Sequence, residues 1–282
     1  MTAGHPTLAA IRRRIWRLVI VLVLALVTSV IAWLMARPSM IRVDGGRIEA
    51  RLRGRGGPAV VFESGLQPGL QTFAALQRRL ARTTRTLAYD RPGFGRSDAA
   101  RGPRTAAAIA RGLHALIAAA GVSTPVILVC YSTGCLYARV FAHDFPAETA
   151  ALVLLDPMTG PFVKRMLAAP AAVRQKAKAR LPAAARRETA ALPATLAEVT
   201  KSWPPPKVPC MVVTALKPSG AWPFATKADL GAWLAGHEAL VGRLPEATHV
   251  VLPQATHATV LESKSLVRPL DELIAALKAG GG

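Results

Sequence analysis

Five short runs along the chain are mostly apolar, residues 59–63, 125–129, 151–155, 210–215 and 249–252, and a sixth, 84–89, ends in Leu87-Ala88-Tyr89. Each has strand length and is bounded by glycine, proline or polar clusters. Between and after them, residues 73–82, 105–120, 135–145, 228–244 and 266–277 carry the 3.6-residue period of helices. In the first of these Phe73, Leu76 and Leu80 share one face. Residues 41–53 alternate instead, which predicts a β-hairpin around Asp44-Gly45-Gly46. Strands that are apolar on both faces, alternating with helices, predict an α/β fold: a mostly parallel central sheet with helices on both faces.

Two stretches break the alternation. Residues 158–206 contain no strand pattern and are dominated by alanine, proline and basic residues, closing at Pro204-Pro205-Pro206. An insertion at the carboxyl end of a strand lies over the ligand crevice of such a fold, so this stretch is expected to form a small helical lid. At the other end, residues 18–36 carry no charge and follow Arg12, Arg13, Arg14 and Arg17. At 1.5 Å per residue they extend roughly 28 Å, close to a bilayer's hydrocarbon thickness. They are expected to form an N-terminal transmembrane helix. The arginines would hold the N-terminus inside and place the rest on the periplasmic or extracellular side of a bacterial membrane. The alternative is a cleaved signal peptide ending near Val30-Ile31-Ala32. The expected organisation is a basic segment and anchor at 1–40, the first part of the core at 41–157, the lid at 158–206 and the second part of the core at 207–282.

The chain has 282 residues, 51% hydrophobic, enough for one sizeable core. Its formal net charge of +20 is carried largely by scattered arginine, with no aromatic-laced basic stripe, so no nucleic-acid partner is expected. The charge fits loose attraction to an anionic membrane surface or to acidic substrates. Three cysteines, Cys130, Cys135 and Cys210, give neither a disulfide framework nor a zinc pattern, and stability is expected from the core alone. With no metal cluster, phosphate loop or dinucleotide fingerprint, no cofactor is expected.

The chemistry concentrates at Cys130-Tyr131-Ser132-Thr133-Gly134, between the apolar run 125–129 and a helical stretch. A strand, a sharp turn and a helix lift a serine hydroxyl out of a sheet and leave backbone N–H groups free beside it. Upstream lie Ser64-Gly65-Leu66 after one strand and Tyr89-Asp90-Arg91-Pro92-Gly93-Phe94-Gly95-Arg96-Ser97-Asp98 after another, and downstream comes His257. In this order the parts resemble the α/β-hydrolase superfamily, in particular its membrane-anchored or secreted esterase-like serine hydrolases, over roughly residues 41–278. The turn departs from the family's Gly-x-Ser-x-Gly: Cys130 replaces the first glycine and Cys135 a further one. Ser64 stands where relatives carry histidine, removing a side chain that braces the oxyanion loop.

The resemblance implies a serine nucleophile at Ser132 and a general base at His257, just past the end of the last strand, with His249 the fallback. The usual loop for the acid, residues 216–222, contains no carboxylate. Asp156, at the carboxyl end of its strand, is the first choice for the acid, ahead of Asp229, Glu238 and Glu262. The oxyanion hole is expected from the backbone N–H groups of Leu66 and Thr133. Asp90 reads as a structural tie for its glycine-rich loop, and Glu63 as a partner for the oxyanion loop. The expected substrate is a small-molecule ester with a hydrophobic acyl group, cleaved through an acyl-enzyme. Haloalkane and epoxide hydrolysis are disfavoured, because relatives performing them carry an aspartate at the serine position. The rival is a membrane-tethered, catalytically silent binding module on the same scaffold.

Overall fold

The computed structural model describes residues 8–35, 37–203, 207–219, 227–244 and 247–280, with residues 10, 11 and 29–35 described by backbone alone. Pro204-Pro205-Pro206, the end of the 216–222 loop, the side chains of Val30-Ile31-Ala32 and the last two residues of the tail lie outside the described residues.

The chain divides into two units, Met1–Pro38 and Ser39–Gly282. The first holds one helix, α1 (Leu8–Met35). Among the described residues no helix is long and apolar enough to cross a membrane. Arg12, Arg13, Arg14 and Arg17 occupy the first half of α1. Among its described residues the one helix of this unit does not reach the length and apolarity of a membrane span. This corrects the expected transmembrane helix, and with it the membrane attachment and the exported, membrane-anchored placement drawn from it.

The second unit is an eight-stranded sheet flanked by helices. In chain order it comprises β1 (Ser39–Val43), β2 (Gly46–Arg53), β3 (Val60–Glu63), α2 (Gly69–Thr72), α3 (Ala74–Leu80), β4 (Thr86–Tyr89), α4 (Ala106–Ala119), β5 (Val126–Tyr131), α5 (Gly134–Asp144) and β6 (Thr149–Leu155). There follow α6 (Gly160–Ala168), α7 (Ala171–Ala179), α8 (Ala183–Ala190), α9 (Leu192–Lys201), β7 (Cys210–Ala215), α10 (Lys227–Val241), β8 (Thr248–Leu252) and α11 (Lys264–Ala279). The strand order is β1-β2-β4-β3-β5-β6-β7-β8. β1 and β2 pair antiparallel, as do β2 and β4, and every other pairing is parallel.

Alternate strand residues feed two cores, because side chains switch face at each step. Val61, Leu128, Leu152 and Val212 pack with α4, α5 and Trp233 of α10. Val60, Val129, Val153 and Val213 pack with Phe73, α3 and α11. The helix expected at 73–82 is α3, which begins just after the buried Phe73, and a further helical turn, α2, precedes it where none was expected. Among the described residues of the segment expected to form the lid, 158–203, the chain forms the run α6 to α9 between β6 and β7. Pro161 and Pro193 sit in the first turns of α6 and α9, and Pro170 and Pro182 directly precede α7 and α8. Proline suits those positions, where no helical N–H bond is lost, and bars the preceding helix from continuing.

Candidate active site

The register of the parallel strands brings the chemistry to one edge. Tyr131, the last residue of β5, pairs with Leu155, the last of β6, so Ser132 and Asp156 leave adjacent strands at one level. Both adopt left-handed backbone, with φ of 56° at Ser132 and 46° at Asp156. That conformation costs a non-glycine residue about 1–2 kcal/mol, so the surroundings must impose it. At Ser132 they do so through three bonds. Its N–H donates to Leu155 O at 3.1 Å, and its carbonyl accepts from Cys135 N at 3.1 Å and Met158 N at 2.9 Å. Two glycines make the turn possible. A Cβ on Gly134 would stand 2.3 Å from Ser64 O, and one on Gly65 would stand 3.1 Å from Ser132 Cβ.

Cys130 and Cys135, which stand at two glycine positions of the family's turn, are joined by a disulfide, with Cα atoms 5.0 Å apart. This corrects the expectation that no cysteine pairs. The bond runs from the penultimate residue of β5 to the first turn of α5 and encloses Ser132. The only sequence signal was their placement on either side of the serine turn.

His257 follows β8. Its Nε2 lies 3.0 Å from Ser132 Oγ and its Nδ1 lies 2.6 Å from Asp156 Oδ2. Nδ1–H therefore donates to the carboxylate, and Nε2 is left to accept the serine proton. Asp156, 1% exposed, accepts at its other oxygen from Ala215 N at 2.9 Å and Trp233 Nε1 at 2.8 Å. The imidazole stacks on Tyr131, with centroids 4.8 Å apart, and meets the Trp233 ring edge-on at 5.5 Å. The Tyr131 hydroxyl donates to His257 O at 2.6 Å. Tyr131 and Trp233 had no signal in the sequence: one reads as a strand end, the other as a core residue of a helix.

The fallback residues lie elsewhere. Asp229 accepts from Arg165 at 2.7 Å. His249 Nε2 contacts Thr214 Oγ1 at 2.7 Å, and that hydroxyl also contacts His237 Nδ1 at 2.8 Å. His237 Nε2 contacts Pro157 O at 2.7 Å, so Nε2 carries the proton and Nδ1 accepts from Thr214. His249 then donates to Thr214 and is engaged away from Ser132. Asp90 Oδ1 accepts from Leu70 N at 2.8 Å, and Gly95 leaves no room for a Cβ beside its other oxygen.

Among the described residues, neither Leu66 N–H nor Thr133 N–H donates to a protein acceptor. Both flank Ser132, one through Gly65 and the other as its chain neighbour. Behind Leu66 lies a buried ionic cluster that sequence reasoning reached only through Glu63. Arg91, 1% exposed, donates to Glu63 Oε1 at 2.6 Å, to Glu188 Oε1 and Oε2 at 3.0 and 2.8 Å, to Ser64 O at 2.6 Å, and to Gly65 O. Tyr89 OH donates to Glu63, and Arg104 to Glu188. Burial pushes Glu63 above the usual carboxylate range against the pull of Arg91. Burial acts likewise on Glu188, but Arg91 and Arg104 outweigh it and hold that group low. Two arginines and two glutamates leave the cluster neutral overall, which makes its burial tolerable.

With a linked serine, histidine and aspartate at the ends of parallel strands, the contacts support serine-hydrolase chemistry. Residues 52–276 match the alpha/beta hydrolase family. The chain belongs to that family. YqjL of Bacillus subtilis (strain 168), an uncharacterized protein, is 31% identical over 119 residues, 42% of this chain and 47% of that protein. The chain thus spans less than half the length of the curated relatives it matches. A thermophilic esterase from Thermogutta terrifontis superposes with a TM-score of 0.59 at 18% identity, over 86% of this chain and 99% of that one. The haloalkane dehalogenase DatA from Agrobacterium tumefaciens C58 gives 0.61 at 17% identity, over 86% of this chain and 97% of that one. Such identities show a shared fold, and chemistry within the alpha/beta hydrolases must be read from the site. Among the described residues no three His, Cys, Asp or Glu side chains are grouped to hold a metal ion.

Proposed function

We propose that this alpha/beta hydrolase cleaves carboxylic esters with apolar acyl groups, through an acyl-enzyme on Ser132. The observation that carries it is the unbroken chain Ser132 Oγ–His257 Nε2 and His257 Nδ1–Asp156 Oδ2, at 3.0 and 2.6 Å. Attack by Ser132 Oγ on the ester carbonyl passes the hydroxyl proton to His257 Nε2. The imidazolium is stabilised by Asp156, and the carbonyl oxygen, now negative, is met by the N–H groups of Leu66 and Thr133. Collapse expels the alcohol, which takes the proton from His257. Water then repeats the sequence on the acyl-enzyme, with His257 as base, and releases the acid. A serine at this position supports acyl transfer and not the dehalogenation of the fold neighbour.

The substrate class is inferred from the cavity beyond Leu66, of about 890 Å³, lined by Leu66, Met166, Leu167, Val173, Leu181 and Leu192. Such a space takes an apolar chain and rewards its transfer from water by about 0.8 kcal/mol per methylene. Lys176, Lys178 and Arg180 also line it, so an acyl group ending in an anion is accommodated. Residues of α6 to α9 supply most of this wall and act as the lid.

Purified protein is expected to react with a fluorophosphonate probe and to hydrolyse p-nitrophenyl esters, with kcat/KM rising from acetate to longer chains. Ser132→Ala should abolish labelling and lower kcat by about 10⁶. A folded wild-type protein that takes no label would instead favour the binding module.

A further inference from the structure

We propose that Arg91 is a positioning residue that fixes the oxyanion donor of Leu66, and that Glu188 makes this depend on the docking of α8. The proposal rests on Leu66 N–H serving as an oxyanion donor. Gly65 C=O and Leu66 N–H belong to one planar peptide group and point in opposite directions. A bond that holds Gly65 O therefore sets where Leu66 N–H is aimed. Arg91 Nη2 makes that bond, and Nη1 holds the carbonyl of the preceding peptide, Ser64 O, at 2.6 Å. A glycine between these two groups tolerates either orientation of its peptide planes, so something outside the loop must choose one. Ser64, where family members carry a bracing histidine, spends its hydroxyl on Gln67 O at 2.9 Å and on Arg91 at 3.0 Å. The bracing has passed from a side chain of the loop to a guanidinium beneath it.

That guanidinium cannot drift. All five of its N–H groups are engaged: Nε by Glu188, Nη1 by Glu63 and Ser64 O, Nη2 by Glu188 and Gly65 O. Phe94 and Tyr137 rings lie 5.1 and 5.2 Å from its carbon. One carboxylate, Glu63, ends strand β3 and is fixed to the sheet. The other, Glu188, comes from α8, within the segment that walls the apolar cavity, and is fully buried. Undocking α8 removes the bidentate partner of Arg91 and frees the guanidinium to leave the two carbonyls. The oxyanion site is then complete only with α8 in place, which ties rate to lid position.

The test uses the full chain, p-nitrophenyl butyrate and butylboronic acid, whose serine adduct is tetrahedral and engages the same donors. Arg91→Lys keeps the charge but cannot span both carbonyls. It is expected to lower kcat about 100-fold, the scale of losing one oxyanion donor, with KM changed by less than about threefold. Boronate affinity should fall in parallel. Glu188→Gln keeps the shape and weakens the grip, for an expected loss of about tenfold in kcat with the same split. A folded Arg91→Lys protein with lowered Tm but wild-type kcat and boronate affinity would reduce Arg91 to a structural ion and overturn the proposal. If Arg91→Lys does not fold, wild-type kcat in Glu188→Gln overturns it. Wild-type protein that takes no fluorophosphonate label sinks the hydrolase assignment itself and this proposal with it, an outcome distinct from a wild type that reacts alongside unaffected variants.

Discussion

Asp156 is held from three sides, and each contact has a separate consequence. Its left-handed backbone turns one oxygen to His257, while Ala215 N–H and Trp233 Nε1–H occupy the other. Asp156→Asn keeps the volume but loses the charge that stabilises imidazolium and fixes the tautomer. Steady-state kinetics should show kcat reduced by about 10⁴ in a protein that still folds. Trp233→Phe keeps a ring against Phe162 and removes one donor to the carboxylate, so a loss of about tenfold in kcat is expected, with a KM near wild type. A Trp233→Phe enzyme at full rate would mean that Ala215 N–H alone suffices. Ser132 and His257 stand out in the sequence because turn chemistry and strand ends are local. Asp156 could be named first only because the loop at 216–222 lacks a carboxylate. Trp233 could not be named at all, since 77 positions separate it from the group it serves.

At the scale of elements, the strand–turn–helix around Ser132 is held by backbone bonds, by the close approach of Gly134 to β3, and by the Cys130–Cys135 disulfide. A cross-link closing so short a loop restricts the unfolded chain by about 2 kcal/mol. Cys130→Ala/Cys135→Ala should lose stability of that order in urea titration. Its kcat should stay within about threefold of wild type, because the backbone bonds to Ser132 remain. A larger rate loss would show that the disulfide, and not those bonds, imposes the positive φ. The sequence carried both cysteines in plain view, but a pairing depends on how far apart the turn leaves them, and composition does not report that. Strand and helix positions were legible within a few residues because each alternates or repeats with its own period. The short α2 was not, because four residues carry too little of a helical period to be seen.

For the molecule as a whole, the order of alternating strands and helices specified the sheet, since parallel strands buried on both faces tolerate almost no polar residue. The expected N-terminal span is the exception: residues 18–36 are uncharged and follow four arginines, yet among the described residues no helix is long and apolar enough to cross a membrane. Apart from the ionic cluster around Arg91, a second buried polar chain predicts how the fold responds to acid. His249, Thr214, His237 and Pro157 O link β8, β7, α10 and the end of β6. His237 is fully buried. Burial depresses its pKa below 6.5, and repulsion from His249 and His257 adds to this, against the opposing pull of Asp156 and the Pro157 carbonyl. His249 is depressed too, chiefly by burial. A histidine that binds a proton more readily unfolded than folded contributes stability that is complete above pH 6.5 and drains away as the pH falls toward the folded pKa. Tm should therefore be level above about pH 7 and decline between about pH 6.5 and 5, before the carboxylates titrate. His237→Gln can still donate to Pro157 O yet takes up no proton, so it should flatten that slope in calorimetric scans, leaving only the share due to His249. An unchanged slope in His237→Gln would mean that His237 binds its proton equally well in the folded and unfolded chain, so that burial does not depress it.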